Sequence, residues 1–497
     1  MTSKHPFFSH IMNGYTFDGE TLTVGAATID QKTLSKAFVK IPLKTLNRHG
    51  LISGATGTGK TKTLQVLSEQ LSEKGIPVLL MDLKGDLSGL AQPSPGHPKI
   101  NERHQAIGLP FVPKSYDVEL LSLSEEMGTR LRATVSEFGP ILMSKILNLT
   151  ETQTGIIAVV FKYCDDCNIP LLDLKDLKSI LNYATGVGKP EFQSKYGRIS
   201  TNSTGAILRR IIELEQQGGD LFFGEKSFDV NDLIRTNKND EGIVHIIRLT
   251  DLQHRPKLFS TFMLSLLAEL FETLPECGDL EKPKLVVFID EAHLIFSQAS
   301  KELIQQLEYT VKLIRSKGVG LFFVTQNPTD VPDSILSQLG LKIQHALRAF
   351  TAKDRKAIKL TAQNYPQTTF FDIESVLTSL GIGEALVTAL DEKGRPTPLT
   401  ATMMRAPKSR MDILTQNEIK TLFKSSKLAK TYNIEIDRES AYEILNKKIK
   451  TALDKSKKEA KKRTSNPSRY ERQNPLIKVL TSATFIRAVF GILKKVV

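Results

Sequence analysis

The sequence predicts an α/β fold: a mostly parallel sheet with helices on both faces, a helical insertion and a basic helical C-terminal tail. Three observations carry this. A short apolar run ends in Leu51-Ile-Ser53 and passes at once into Gly54-Ala-Thr-Gly-Thr-Gly-Lys-Thr61, after which Leu64, Leu67 and Leu71 recur at helical spacing until Gly75. A second apolar run, Ile76-Pro-Val-Leu-Leu-Met81, follows and ends in Asp82. Strand, loop, helix and strand make a βαβ unit, which requires parallel strands with the helix packed on the sheet. Far downstream, Leu285-Val-Val-Phe-Ile289 and Leu321-Phe-Phe-Val324 are uninterrupted apolar segments, as strands buried on both faces are.

The G-x-x-x-x-G-K-T loop is a phosphate cradle in the right context, strand before and helix after. Gly54, Gly57 and Gly59 permit a tight backbone whose N–H groups converge on phosphate oxygens, with Ala55, Thr56 and Thr58 completing the turn. Lys60 is placed to reach the outer phosphates, Thr61 to put its hydroxyl on Mg²⁺, and Lys62 to line the same nucleotide. The helix N-terminus adds partial positive charge. ATP and Mg²⁺ are therefore the expected cofactors.

Composition sets the class. The 497 residues are 40% hydrophobic, enough for two or three domains. Three cysteines, Cys164, Cys167 and Cys277, give no disulfide framework, and Cys164-Asp-Asp-Cys167 lacks the further ligands of a zinc site. Neither a signal peptide nor an apolar stretch of spanning length is present, so a cytoplasmic protein is expected. The net charge is +13, and most of it lies in residues 447–478, where twelve Lys and Arg face three carboxylates. Such a tail suits DNA, RNA or an anionic membrane surface, and equally a solvated helix.

In chain order, residues 1–47 read as a β-rich segment with a hairpin around Asp18-Gly19 that adds to the sheet or its rim. Residues 48–117 are the first part of the nucleotide core. Residues 118–240 lack strand signals and read as a helical insertion, with helices at 120–135, 140–148, 153–164, 173–183 and 204–217. The core resumes over 241–406, with strands at 242–249, 341–347 and 384–390 and an extended exit from 396 to 406. Residues 407–497 form the basic tail, ending in an amphipathic helix over 476–497 that would lie on a membrane interface or dock on protein.

Chemistry is expected at the carboxyl ends of the strands. Asp82 either helps position the Mg²⁺–phosphate group or simply closes a strand-end turn. Asp290 would orient the Mg²⁺ shell and Glu291 the attacking water. Arg315, in the last turn of a helix stopped by Gly318, either complements the helix dipole or acts as an arginine finger on a neighbour. Gln326, just past a strand, would sense the γ-phosphate. Lys353, Arg355 and Lys356 cluster on a helix as a partner-facing or merely solvated patch. Asp290-Glu-Ala-His293 spells a helicase box, but Ser482-Ala-Thr484 lies far too distant to be its usual companion.

Arg48-His49 ahead of the loop, Asp82-Leu-Lys-Gly-Asp86, Asp290-Glu-Ala-His293 and Arg315-Ser-Lys-Gly-Val-Gly-Leu-Phe-Phe-Val-Thr-Gln-Asn-Pro328 occur in an order that resembles HerA-type ATPases. That group includes FtsK and conjugative coupling proteins. The similarity is closest to the bacterial YjgR-like proteins, from about residue 10 into the basic tail. The resemblance implies a RecA-like core, homo-hexameric rings, ATP bound between subunits and translocation along DNA. It places Arg315 at a trans-acting arginine and Arg48 at a second basic residue near the nucleotide. HerA-type DNA motors carry a β-barrel domain ahead of the loop, where this chain has 47 residues. A peripheral membrane ATPase or nucleotide-switched scaffold is the alternative expectation.

Overall fold

The computed structural model describes residues 6–464 apart from 253, 254, 279, 299, 300, 435 and 437. The chain divides into two units, Met1–Tyr442 and Glu443–Val497.

In the first unit one sheet holds twelve strands: Thr21–Ile29 (β1), Lys32–Pro42 (β2), Gly50–Ser53 (β3), Val78–Asp82 (β4), Val118–Ser122 (β5), Thr129–Arg130 (β6), Val244–Arg248 (β7), Leu285–Ile289 (β8), Val319–Thr325 (β9), Leu341–His345 (β10), Glu384–Thr388 (β11) and Thr400–Met404 (β12). Their order is β2-β1-β12-β11-β10-β3-β9-β8-β4-β7-β5-β6. From β10 to β6 every pairing is parallel, and the flank β2-β1-β12-β11 is antiparallel. β3, β4, β8 and β9 are buried along their whole length, which is why they read as unbroken apolar runs. This is the RecA-like P-loop architecture expected.

The helix Lys60–Glu73 buries Leu64, Leu67 and Leu71, and polar Gln65, Ser68 and Glu69 are buried with them. The polar face is covered by the segment beyond β12. Glu69 accepts from the backbone N–H groups of Lys408 and Ser409, both at 2.8 Å, and Gln65 donates to Arg410 O at 3.1 Å.

Four expectations are corrected. The sheet does not stop at 117: β5 and β6 occupy the start of the supposed insertion, and 120–135 is not a helix. Leu120, Leu123 and Leu131 have helical spacing, but a run of five residues satisfies a buried strand as well. Helices follow at Val135–Ile146, Glu151–Asp166, Leu174–Thr185 and Thr201–Gln216. The N-terminal hairpin turns at Asp30 and Gln31, both left-handed, rather than at Asp18-Gly19, and a helix, Pro6–Gly14, precedes it. The alternation from 14 to 24 marked a strand that begins only at Thr21, while Gly19 N–H is taken by Glu392 at 2.9 Å. Finally, 400–404 is no exit from the core but β12, paired with both β1 and β11.

In the second unit the described residues continue the helix Ala441–Thr464. The basic residues beyond 464, the amphipathic helix expected over 476–497 and the Ser-Ala-Thr element lie outside the described residues. Among the described residues no helix is long and apolar enough to cross a membrane.

Candidate nucleotide site

Parallel strands in register deliver their carboxyl ends to one edge. Ser53 pairs with Thr325, Phe323 with Ile289, and Ile289 with Met81, so the loop after β3, Gln326, Asp290 and Asp82 meet there. The glycines carry the geometry expected of a cradle: φ is +149° at Gly54, +77° at Gly57 and +115° at Gly59. A methyl at Gly54 would sit 2.5 Å from His345 Cβ, whereas Gly57 faces open space. The loop is tied to the antiparallel side of the sheet. Ala55 N–H donates to Ala346 O at 2.9 Å, and Thr58 O accepts from Gly383 N–H at 2.9 Å.

Beneath the loop lies a buried imidazole. His345 Nδ1–H donates to Glu384 O at 2.9 Å, which leaves Nε2 to accept the Thr63 hydroxyl at 2.9 Å. Burial pushes this imidazole down to about 4, so it stays neutral.

Lys60 is buried, its ammonium donating to Gly54 O at 2.6 Å and Ala55 O at 3.1 Å. Burial and the neighbouring Lys84 lower its pKa, while Glu291 and Asp290 raise it. Asp290 and Glu291 are both buried, and Asp290 Oδ1 accepts the Glu291 N–H at 2.9 Å. Burial, then Glu291, lifts the Asp290 carboxyl to about 7, and Lys84 opposes this. Glu291 adopts φ +48°, a strained left-handed conformation for a residue with a side chain. Its carboxylate forms an ion pair with Lys84 and lies 3.1 Å from His293 Nδ1.

Lys84 and His293 were missed as site residues, although both stand inside motifs the sequence displays. Asp82 sits at the edge but uses its carboxylate locally, accepting Gly85 N–H at 2.7 Å, Asp86 N–H at 3.2 Å and Leu87 N–H at 3.1 Å. Burial raises its pKa to about 6. Lys62 turns away from the cradle onto Met411 O at 2.5 Å and Gln65 at 3.0 Å. Gln326 lies beside the loop, its Oε1 3.4 Å from the Thr56 hydroxyl.

Arg48 and Arg315 stand at the opposite edge. Arg48 precedes β3 and Arg315 precedes β9, and together with Lys312 and Lys342 they line a cavity of about 560 Å³. The four residues of β3 separate this basic cavity from the cradle by roughly 13 Å. His49 ties the cavity together: Nε2–H donates to Val311 O at 2.7 Å and Nδ1 accepts Leu321 N–H at 3.0 Å.

A nucleoside triphosphate with Mg²⁺ fits the residues of the carboxyl edge. The loop needs glycine at Gly54, hard oxygen donors are available on Thr61 and Asp290, and buried Asp86 Oδ1 has no hydrogen-bond partner in the structure.

Residues 27–486 match the model of the family described as helicase HerA-like, C-terminal. The chain belongs to this family. As a member it is a P-loop ATPase of the helicase-like type. It is 24% identical over 379 residues to the DNA double-strand break repair helicase HerA of Sulfolobus acidocaldarius, an alignment covering 74% of this chain and 68% of that protein. The chain spans about two thirds of the length of the curated relatives it matches. Among solved structures, the bacterial conjugative coupling protein TrwBdeltaN70 superposes with a TM-score of 0.52 at 12% identity, covering 82% of this chain and 94% of that one. The plasmid coupling protein TrwB in complex with a non-hydrolysable ATP analogue gives 0.50 at 13% identity, covering 80% and 99%.

Proposed function

We propose that this chain is an Mg²⁺-dependent ATPase that assembles into a homo-hexameric ring and translocates DNA, with each nucleotide completed by the neighbouring subunit. The observation that carries the reading is the separation of the two halves of the site. Cradle and carboxylates lie at one edge of the sheet, Arg48 and Arg315 at the other, roughly 13 Å away along β3. Those arginines serve a phosphate held by a second copy, as subunits placed edge to edge in a ring would allow. The HerA relative is named for DNA repair, and this supports a nucleic-acid track.

In this reading the loop from Gly54 to Thr61 holds the phosphates, Lys60 neutralises charge growing on the γ-phosphoryl group, and Glu291 orients the water in line with it. Thr61 and Asp290 would hold Mg²⁺, which would supply neutralisation of the phosphate charge. Gln326, next to Thr56, reports the γ-phosphate. Asp82 shapes the turn that presents Lys84, and Lys62 secures the 407–414 segment over the helix. All three cysteines are free, as a reducing cytoplasm would keep them.

Mixed oligomers test the proposal. Arg315→Ala and Lys60→Ala subunits, each inactive alone, should regain turnover when combined, because intact cradles then face intact arginines. Absence of recovery at every mixing ratio, in oligomers shown to be mixed, would remove the shared site.

A further inference from the structure

Past β10, on the cradle side of the sheet, the chain leaves the core through Ala346-Leu-Arg-Ala-Phe-Thr351 and enters the helix Ala352–Gln363. Phe350 on this loop is 86% exposed, the most exposed large apolar side chain among the described residues. The same loop and helix carry Arg348, Lys353, Arg355, Lys356 and Lys359, all exposed. Arg348 makes one long hydrogen bond, to Thr378 O at 3.4 Å. Among the described residues none of the five cations closes an ion pair with a carboxylate. The one acidic side chain of the segment, Asp354, is already engaged, accepting Phe350 N–H at 3.0 Å and Thr351 N–H at 2.8 Å as the cap of the helix.

The helix buries Ile358, Thr361 and Ala362, so its cations form an outward face rather than a core-facing stripe. Five exposed cations that close no ion pair, on one segment with a bare aromatic ring, are poorly explained by folding. Stability gains nothing from Phe350 in water, and like charges this close repel one another. Both features suit a nucleic-acid strand. Phosphates take the cations, and a base face takes the ring.

The loop is also wired to the nucleotide site. Ala346 O is the acceptor for Ala55 N–H in the cradle, and Leu347 N–H donates to Leu377 O at 3.0 Å. The residue before Ala346 is His345, which holds Thr63 of the cradle helix.

We propose that Phe350 with Arg348, Lys353, Arg355 and Lys356 forms the contact between this enzyme and its nucleic-acid track, phosphodiester groups on the cations and a base against Phe350. This rests on the nucleic-acid reading above and assigns it to residues.

The test uses the full chain with labelled single-stranded and duplex DNA, followed by anisotropy across salt and by ATP turnover with and without DNA. Two variants are compared with the wild type: Phe350→Ala, and the combined Lys353→Ala, Arg355→Ala and Lys356→Ala. All three proteins should show the same DNA-free turnover, oligomer size and melting temperature. The combined variant should lose DNA stimulation and bind both DNAs more weakly, with a salt slope reduced by roughly two to three units. Phe350→Ala should weaken the single-strand arm by roughly tenfold and leave the salt slope unchanged.

Wild-type affinity and slope retained in the combined variant would overturn the assignment while leaving a DNA motor standing. A wild type that binds neither DNA at low salt would sink the nucleic-acid reading itself. If Phe350→Ala instead dissociates the oligomer, the ring is a subunit contact and the base-stacking role is wrong.

Discussion

Lys84, in the turn after β4, closes an ion pair on Glu291 at the end of β8, joining two motifs that lie some two hundred residues apart in the chain. It places a cation against the carboxylate proposed to orient the attacking water. Lys84→Met should leave Asp290 and Glu291 as neighbouring buried carboxylates without their cation. Turnover should fall about ten- to hundredfold while ATP affinity changes little, since the cradle itself is intact. Steady-state kinetics beside titration with a fluorescent ATP analogue would check this; equal losses in both would mean that Lys84 contacts the nucleotide directly.

Lys60→Ala should abolish hydrolysis, and Glu291→Gln should bind ATP yet hydrolyse it at least a hundredfold more slowly. A single-turnover assay with bound nucleotide counted by filtration separates the two effects. Normal steady-state activity in either variant would invalidate the site.

His49 joins the helix Lys301–Ile314, which runs directly into Arg315, to β9 through two backbone contacts and follows Arg48 in the chain. Its pKa is lowered to about 4 by burial, so both ring nitrogens keep these roles at neutral pH. His49→Gln should lower turnover about tenfold with ATP affinity unchanged, because only the arginines' placement is disturbed. Because the defect lies in the arginine half of the site, His49→Gln subunits should regain turnover when mixed with Lys60→Ala subunits and gain none when mixed with Arg315→Ala subunits. Wild-type turnover in His49→Gln alone would show that the imidazole merely fills space.

His345 gives a pH signature. Its folded pKa is about 4 against an unfolded value near 6.5. Between those values the unfolded chain takes up a proton that the native site refuses. The stabilisation from neutral His345 is therefore complete above about pH 6.5 and is lost as pH falls toward 4. From pH 7.5 to pH 5 this amounts to about 2 kcal/mol. In urea unfolding, His345→Gln should lose about that much less than the wild type over the same interval. His49 and His245, depressed to about 4 and about 3, contribute equally to both proteins and cancel.

The nucleotide core was legible because its signals are local. Gly54, Gly57 and Gly59 all take a positive φ that glycine adopts freely, and β8 must be apolar throughout because both faces are covered. What escaped depends on distant partners. Residues 118–122 become a strand because β7 offers an edge, and 400–404 because β1 and β11 leave a gap. Lys84 reads as an ordinary turn lysine until β8 folds beside it. Lys62 looks like a cradle residue by position, yet Met411 O, from far along the chain, claims it. Arg48 and Arg315 were named in the sequence, but only the topology places them together, and away from the loop.

The seam between β1 and β12 pairs Gly25 with Met404, and the Tyr15 hydroxyl donates to Pro398 O at 2.7 Å across it. At ordinary translation rates of about 5 to 20 residues per second, the second partner emerges about 20 to 80 s after the first. For that interval β1 is a naked edge strand on the ribosome. Messages truncated before codon 400 would yield chains with a nearly complete nucleotide site and an open sheet edge. Biosynthesis of this ATPase should accordingly depend on chaperones that shield nascent strands.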